Sequence, residues 1–84
     1  MSDNPQHLAK LRWRCRRGMG ELDSLLLRFL DRGYADLDEQ QRAILDDLLD
    51  QEDDRLWAWF LGRAPASTPE LQGMISHILQ FSAP

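Results

Sequence analysis

The chain has 84 residues, 43% of them hydrophobic, and a formal net charge of −4. A chain this short builds one small core, burying about 60 to 65% of the surface its unfolded form exposes. It holds no run near the roughly 20 apolar residues of a membrane span, and its acidic balance argues against nucleic acid as a partner.

The charge is unevenly spread. Residues 1–34 carry seven basic and four acidic side chains, and residues 35–62 carry two basic and nine acidic. Such a basic end and acidic end suit oriented docking on a protein rather than general affinity for polyanions. Cys15 is the only cysteine, so no internal disulfide can form. Cys15, His7 and His77 are the only soft metal ligands, and their spacing matches no zinc site. Met1-Ser2-Asp3-Asn4-Pro5 lacks the basic and apolar regions of a signal peptide. These features predict a cytoplasmic protein without membrane insertion and without a metal.

In chain order, Asn4 followed by Pro5 predicts an N-cap with proline at the first helical position. The first helix ends near Arg16, with Leu8, Leu11 and Cys15 as a narrow apolar stripe and Lys10, Arg12, Arg14 and Arg16 around it. Trp13 lies off that stripe, where it either covers a neighbouring helix or joins a recognition surface. A second helix follows Gly20, carried by Leu22, Leu25, Leu26, Phe29 and Leu30 at three- and four-residue steps. Gly33 is expected to close it as a left-handed residue, with Arg28 and Arg32 near its negative end. Tyr34 opens a connector as a packing lid with its hydroxyl toward solvent.

Asp38 and Gln41 predict a capping box for a third helix, with Ile44, Leu45, Leu48 and Leu49 inside and Asp46, Asp47 and Asp50 in water. Neighbouring acids diverge on a helix, so Asp46-Asp47 reads as a solvated face rather than a cation site. Gln51-Glu52-Asp53-Asp54 is too short for an EF-hand loop. Asp53 is expected to cap a fourth helix over 54–61, with Leu56, Trp59 and Phe60 inside, Trp57 partly exposed and Gly62 closing it. After a linker through Pro65, Thr68-Pro69 caps a fifth helix whose inner face is Leu71, Met74, Ile75, Ile78 and Leu79. Residues from Phe81 onward should fray. Five helical stripes and no strand-like alternation predict a compact all-α five-helix bundle, one domain over residues 1–84.

Reactive groups do not converge. Ser76 and His77 are adjacent and diverge on a helix, and Cys15 sits on an apolar stripe. No phosphate loop or dinucleotide fingerprint is present. The sequence predicts no intrinsic catalysis.

The stretch that stands out is Arg16-Arg17-Gly18-Met19-Gly20-Glu21, between the first two helices. Glycines there permit positive φ or close approach of another surface, and Arg17 and Glu21 place both charges beside bare backbone. On spacing alone a structural reading is favoured. Glu21 suits the start of a helix, and Arg17 and Glu21, four apart, can pair for about 0.3 to 0.5 kcal/mol.

The run from Trp13 to Asp23, with Arg17, Gly18 and Glu21 as Arg-Gly-x-x-Glu, resembles the signature of the SdhE (YgfY) family, small assembly factors that promote covalent attachment of FAD to succinate dehydrogenase. The resemblance continues through Tyr34, Leu48-Leu49, Asp53-Asp54-x-Leu56-x-x-Trp59 and the helix from Leu71 to Leu79. Gly20 departs from it, since many members carry a larger residue there. The resemblance implies a five-helix fold and a non-catalytic, chaperone-like factor. Its partner would be the flavoprotein subunit of succinate dehydrogenase and of the related fumarate reductase, and the free factor would be a monomer. In the chemistry the resemblance implies, a client histidine would attack the activated 8-methyl carbon of the flavin while the factor would hold FAD and histidine aligned. The factor keeps no cofactor of its own, and the client's FAD is the only one it would contact. The partner-binding residues implied are Trp13, Arg16, Arg17, Gly18, Met19 and Glu21: Arg17 donating to client oxygens, Gly18 admitting the client backbone, Glu21 facing the flavin. An alternative from a different class is an antitoxin-type regulator of a membrane toxin or a cytoskeletal protein.

Overall fold

The five apolar stripes fold as five helices. The computed structural model describes residues 5–81 and contains α1 (Pro5–Arg14), α2 (Gly20–Arg32), α3 (Glu39–Leu49), α4 (Asp53–Phe60) and α5 (Pro69–Leu79), with a 3-10 turn at Tyr34–Asp36 between α2 and α3. One buried cluster joins them. It takes Leu11 and Cys15 from the first segment and Leu22, Leu26, Phe29 and Leu30 from α2. Leu45, Leu48 and Leu49 come from α3, Leu56, Trp59 and Phe60 from α4, and Leu71, Met74, Ile75 and Ile78 from α5. Each large apolar side chain so buried contributes roughly 1.5 to 3 kcal/mol. The fifth helix packs on α2, α3 and α4. The radius of gyration, 11.9 Å, is about the 12 Å expected of a folded chain this long.

The caps follow from local chemistry. Asp38 Oδ1 accepts from the Gln41 amide at 2.8 Å, and Gln41 Oε1 accepts from the Asp38 amide at 3.0 Å, a complete capping box. Thr68 Oγ1 accepts from the Leu71 amide at 3.1 Å, with Pro69 at the first helical position. Gly62 adopts φ +74° after α4. There the Arg63 amide donates to Ala58 O at 2.9 Å and the Gly62 amide to Trp59 O at 3.2 Å, the paired bonds of a Schellman ending. Asn4, expected to cap α1, lies outside the described residues.

Several expectations are corrected. Gly33 is not left-handed: its φ is −123°, and the chain passes straight into the 3-10 turn. Glycine is required there for space, since a Cβ would stand 2.7 Å from Phe29 Cε1 and 2.8 Å from Phe81 Cε2. Phe81 itself does not fray, because its ring meets Phe29 and His77 edge-on at centroid distances of 5.5 and 5.6 Å. Tyr34 is buried rather than a solvent-facing lid, with the Arg42 guanidinium 4.4 Å above its ring centroid. Leu79, at the end of α5, is exposed. Asp53 lies inside α4 and does not cap it; Glu52 holds the N-cap position without a side-chain bond.

Candidate functional site

The first helix stops two residues earlier than its apolar spacing predicts. At its end the Cys15 amide is shared between Leu11 O at 3.0 Å and Arg12 O at 3.1 Å, and Arg16 N donates to Trp13 O at 3.1 Å. This tightening turns the chain, and the Arg17 amide then donates to Asp23 Oδ1 at 2.7 Å. Gly18 follows with φ +83°, the left-handed conformation that favours glycine. Met19 is extended at the N-cap position of α2, and its carbonyl accepts from the Asp23 amide at 2.8 Å.

The result is a ridge of bare backbone. Gly18 and Gly20 are exposed, and a Cβ built on either meets nothing within 4 Å. Met19 between them is half-buried and packs against the core, whereas Glu21 is exposed in the first turn of α2.

Arg17 points the other way. Its side chain is 12% exposed, and Nε donates to Asp53 Oδ1 at 2.6 Å. Nη1 donates to Leu49 O at 2.7 Å and Arg14 O at 3.3 Å, and Nη2 to Gln51 O. Leu49 and Gln51 lie at the end of α3, where carbonyls lack intrahelical partners and the helix dipole favours a cation. This corrects the role expected of Arg17: its fork holds the ridge to the α3–α4 junction instead of reaching out to a partner. Its acidic neighbour is Asp53, 36 residues away, and not Glu21.

On one flank of the ridge, Trp13, Arg14, Arg16, Arg17, Leu49 and Asp53 line a shallow concavity of about 370 Å³. Trp13 is 73% exposed, so it covers no neighbouring helix, and Arg16 is exposed beside it. The other arginines of this stripe turn inward to acids. Arg14 bonds Asp46 Oδ1 at 2.9 Å and Asp50 Oδ1 at 2.8 Å, and Arg12 pairs with Asp31. Part of the charge asymmetry seen in the sequence is therefore consumed within the molecule.

A second, larger open concavity of about 530 Å³ is lined by Gly20, Glu21, Ser24, Leu25, Arg28 and Trp57. Sequence reasoning missed it. Its signal was present, since Glu21, Ser24, Leu25 and Arg28 follow the spacing of one helix face, beside the core stripe of α2, and Trp57 lies off the stripe of α4.

Beneath the ridge Cys15 is 1% exposed, and burial pushes its thiol up to about 11 against the opposing pull of Arg17, Arg14 and Arg12. Among the described residues no three His, Cys, Asp or Glu side chains are grouped to hold a metal, and no helix is long and apolar enough to cross a membrane. Exposed peptide groups, a carboxylate and two aromatic-flanked hollows make a surface suited to another polypeptide.

Comparison with known proteins agrees with the signature. The family described as flavinator of succinate dehydrogenase matches residues 9–82. A protein of Shewanella oneidensis named FAD assembly factor SdhE is 41% identical over 78 residues, 93% of this chain and 95% of the relative. Its namesake in Coxiella burnetii is 40% identical over 81 residues, 96% of this chain and 99% of the relative. That of Pseudomonas putida is 42% identical over 77 residues, 92% of each chain.

Proposed function

Because the chain belongs to the SdhE family, the flavinators of succinate dehydrogenase, we propose that it is an FAD assembly factor that binds the flavoprotein subunit of succinate dehydrogenase through the Gly18–Glu21 ridge. The observation that carries this reading is the ridge itself: backbone free of side chains at Gly18 and Gly20, with the exposed Glu21 at its end. A client segment lies across the glycines, Trp13 and Met19 add apolar contact, and Arg16 and Glu21 flank it with opposite charge. The same surface serves the flavoprotein subunit of fumarate reductase.

The covalent bond forms on the client, between its own histidine and its own FAD. This chain's part is to hold the client in the conformation that keeps the two aligned, a positioning effect. Glu21 faces the flavin-histidine region and is the residue that approaches the client's FAD. In this reading the chain supplies no nucleophile; the Cys15 thiol is sealed and held neutral by burial, and His77 packs edge-on against Phe29. In this reading the free factor is a monomer.

The test is co-expression with a succinate dehydrogenase flavoprotein subunit in cells lacking their own factor. Covalent flavin fluorescence of the subunit on denaturing gels should rise when this chain is present. Equal fluorescence with and without it would contradict the assignment.

A further inference from the structure

Two carboxylates outside the ridge are not used as their places in the helices would suggest. Asp53 lies in the first turn of α4, yet α4 has no side-chain cap, and Asp53 Oδ1 accepts from Arg17 Nε at 2.6 Å. Asp23 lies in the first turn of α2, and its Oδ1 accepts from the Arg17 amide at 2.7 Å. Both bonds converge on the residue immediately before Gly18. A left-handed glycine has the widest conformational choice of any residue, so the direction of the chain through the ridge is not set at Gly18. It is set by what grips the residues around it. Arg17 is gripped at its backbone by α2 and at its guanidinium by the end of α3 and the start of α4. With Arg17 and Asp53 side chains 12% and 38% exposed, this contact is less screened than an open surface pair.

We propose that Asp53 and Asp23 are positioning residues for docking: through Arg17 they fix the ridge in one arrangement before the client arrives. The inference rests on the reading of the ridge as the docking surface. Neither carboxylate needs to touch the client. A ridge ordered in advance removes part of the ordering cost that binding otherwise meets, and Asp53 does this from 36 residues away. Asp53→Asn keeps the shape and one acceptor oxygen but loses the charge, and Asp53→Glu keeps the charge on a longer arm.

The experiment uses the full chain with Asp53→Asn, Asp53→Ala, Asp53→Glu and Asp23→Ala, and with Gly18→Arg beside them. Amide hydrogen exchange is read at Arg17, whose amide donates to Asp23, and at Leu45 and Leu48 in the free protein, and affinity is read for the purified flavoprotein subunit. For Asp53→Ala, which leaves the acceptor of the Arg17 amide in place, exchange at that amide should rise at least about tenfold, with Leu45 and Leu48 unchanged, and for both Asp53→Ala and Asp23→Ala the Kd for the client should rise about tenfold. Asp53→Asn should fall between, and Asp53→Glu should recover part of the affinity. Unchanged exchange at the Arg17 amide in Asp53→Ala would overturn the inference, as would faster exchange at Leu45 and Leu48 in parallel, the mark of a merely structural role. If Gly18→Arg abolishes binding while the aspartate variants bind normally, the docking reading stands and the positioning inference falls. If Gly18→Arg also binds normally, the docking reading itself fails.

Discussion

Arg17 and Glu21, four residues apart on the same turn of chain, face opposite ways: the guanidinium of Arg17 is engaged by Asp53 and by the carbonyls of Leu49 and Gln51, while Glu21 stands exposed beside the Trp57 hollow. The two charged residues of the signature thus have different physical work. One anchors the ridge and the other is presented by it.

Gly18 separates backbone strain from obstruction. At φ +83° any side chain costs roughly 1 to 2 kcal/mol, yet a Cβ meets nothing within 4 Å. Gly18→Ala and Gly18→Arg should therefore lower stability in urea by similar amounts, and both should keep their helical circular dichroism. Client binding should survive the alanine, weakened, and be lost with the arginine. Equal binding by the two variants would show that bulk on the ridge does not matter.

Glu21→Ala removes an exposed carboxylate from the first turn of α2. Stability should change by no more than about 0.5 kcal/mol. Covalent flavin on the client should fall by at least about tenfold, the scale of a lost hydrogen bond to a charged group. Full flavin fluorescence on denaturing gels would remove Glu21 from the docking surface.

The helices were legible because each element carries its own instructions. The stripes of α2 and α5 repeat at three and four residues, and the Asp38–Gln41 and Thr68–Pro69 starts are local chemistry that packing does not override. The site was legible only in outline. Gly18 and the exposure of Glu21 could be read from a glycine-rich junction, but the partner of Arg17 lies 36 residues away, and a four-residue separation offered Glu21 in its place. Gly33 shows the same limit. Its position after α2 suggested a left-handed cap, whereas its requirement comes from the rings of Phe29 and Phe81, which only the folded chain brings near.

Gly33→Ala should accordingly destabilise the fold without touching the site. The new methyl would meet Phe29, which is fully packed, at 2.7 Å. Overpacking of this kind costs about 1 to 3 kcal/mol. The unfolding free energy from a denaturant melt should fall by that amount, while binding of the flavoprotein subunit, measured well below the transition, should keep its Kd.

Cys15 gives a pH signature. Burial raises its thiol from the ordinary 9.0 to about 11, so the unfolded chain releases this proton first. The associated stability is complete below pH 9 and is lost as pH climbs toward 11, about 2 to 3 kcal/mol in all. Urea unfolding of wild type and Cys15→Ala should show the wild-type advantage shrinking across that window. A constant difference from pH 8 to pH 11 would contradict the buried neutral thiol.

The most direct test of the docking ridge is photo-crosslinking from two positions, Gly20 on the ridge and Ser76 on the exposed side of α5. A photoreactive residue at position 20 should capture the flavoprotein subunit of succinate dehydrogenase in high yield, and one at position 76 should not. Capture from position 76 with none from position 20 would place the client on the wrong face of the molecule for this account.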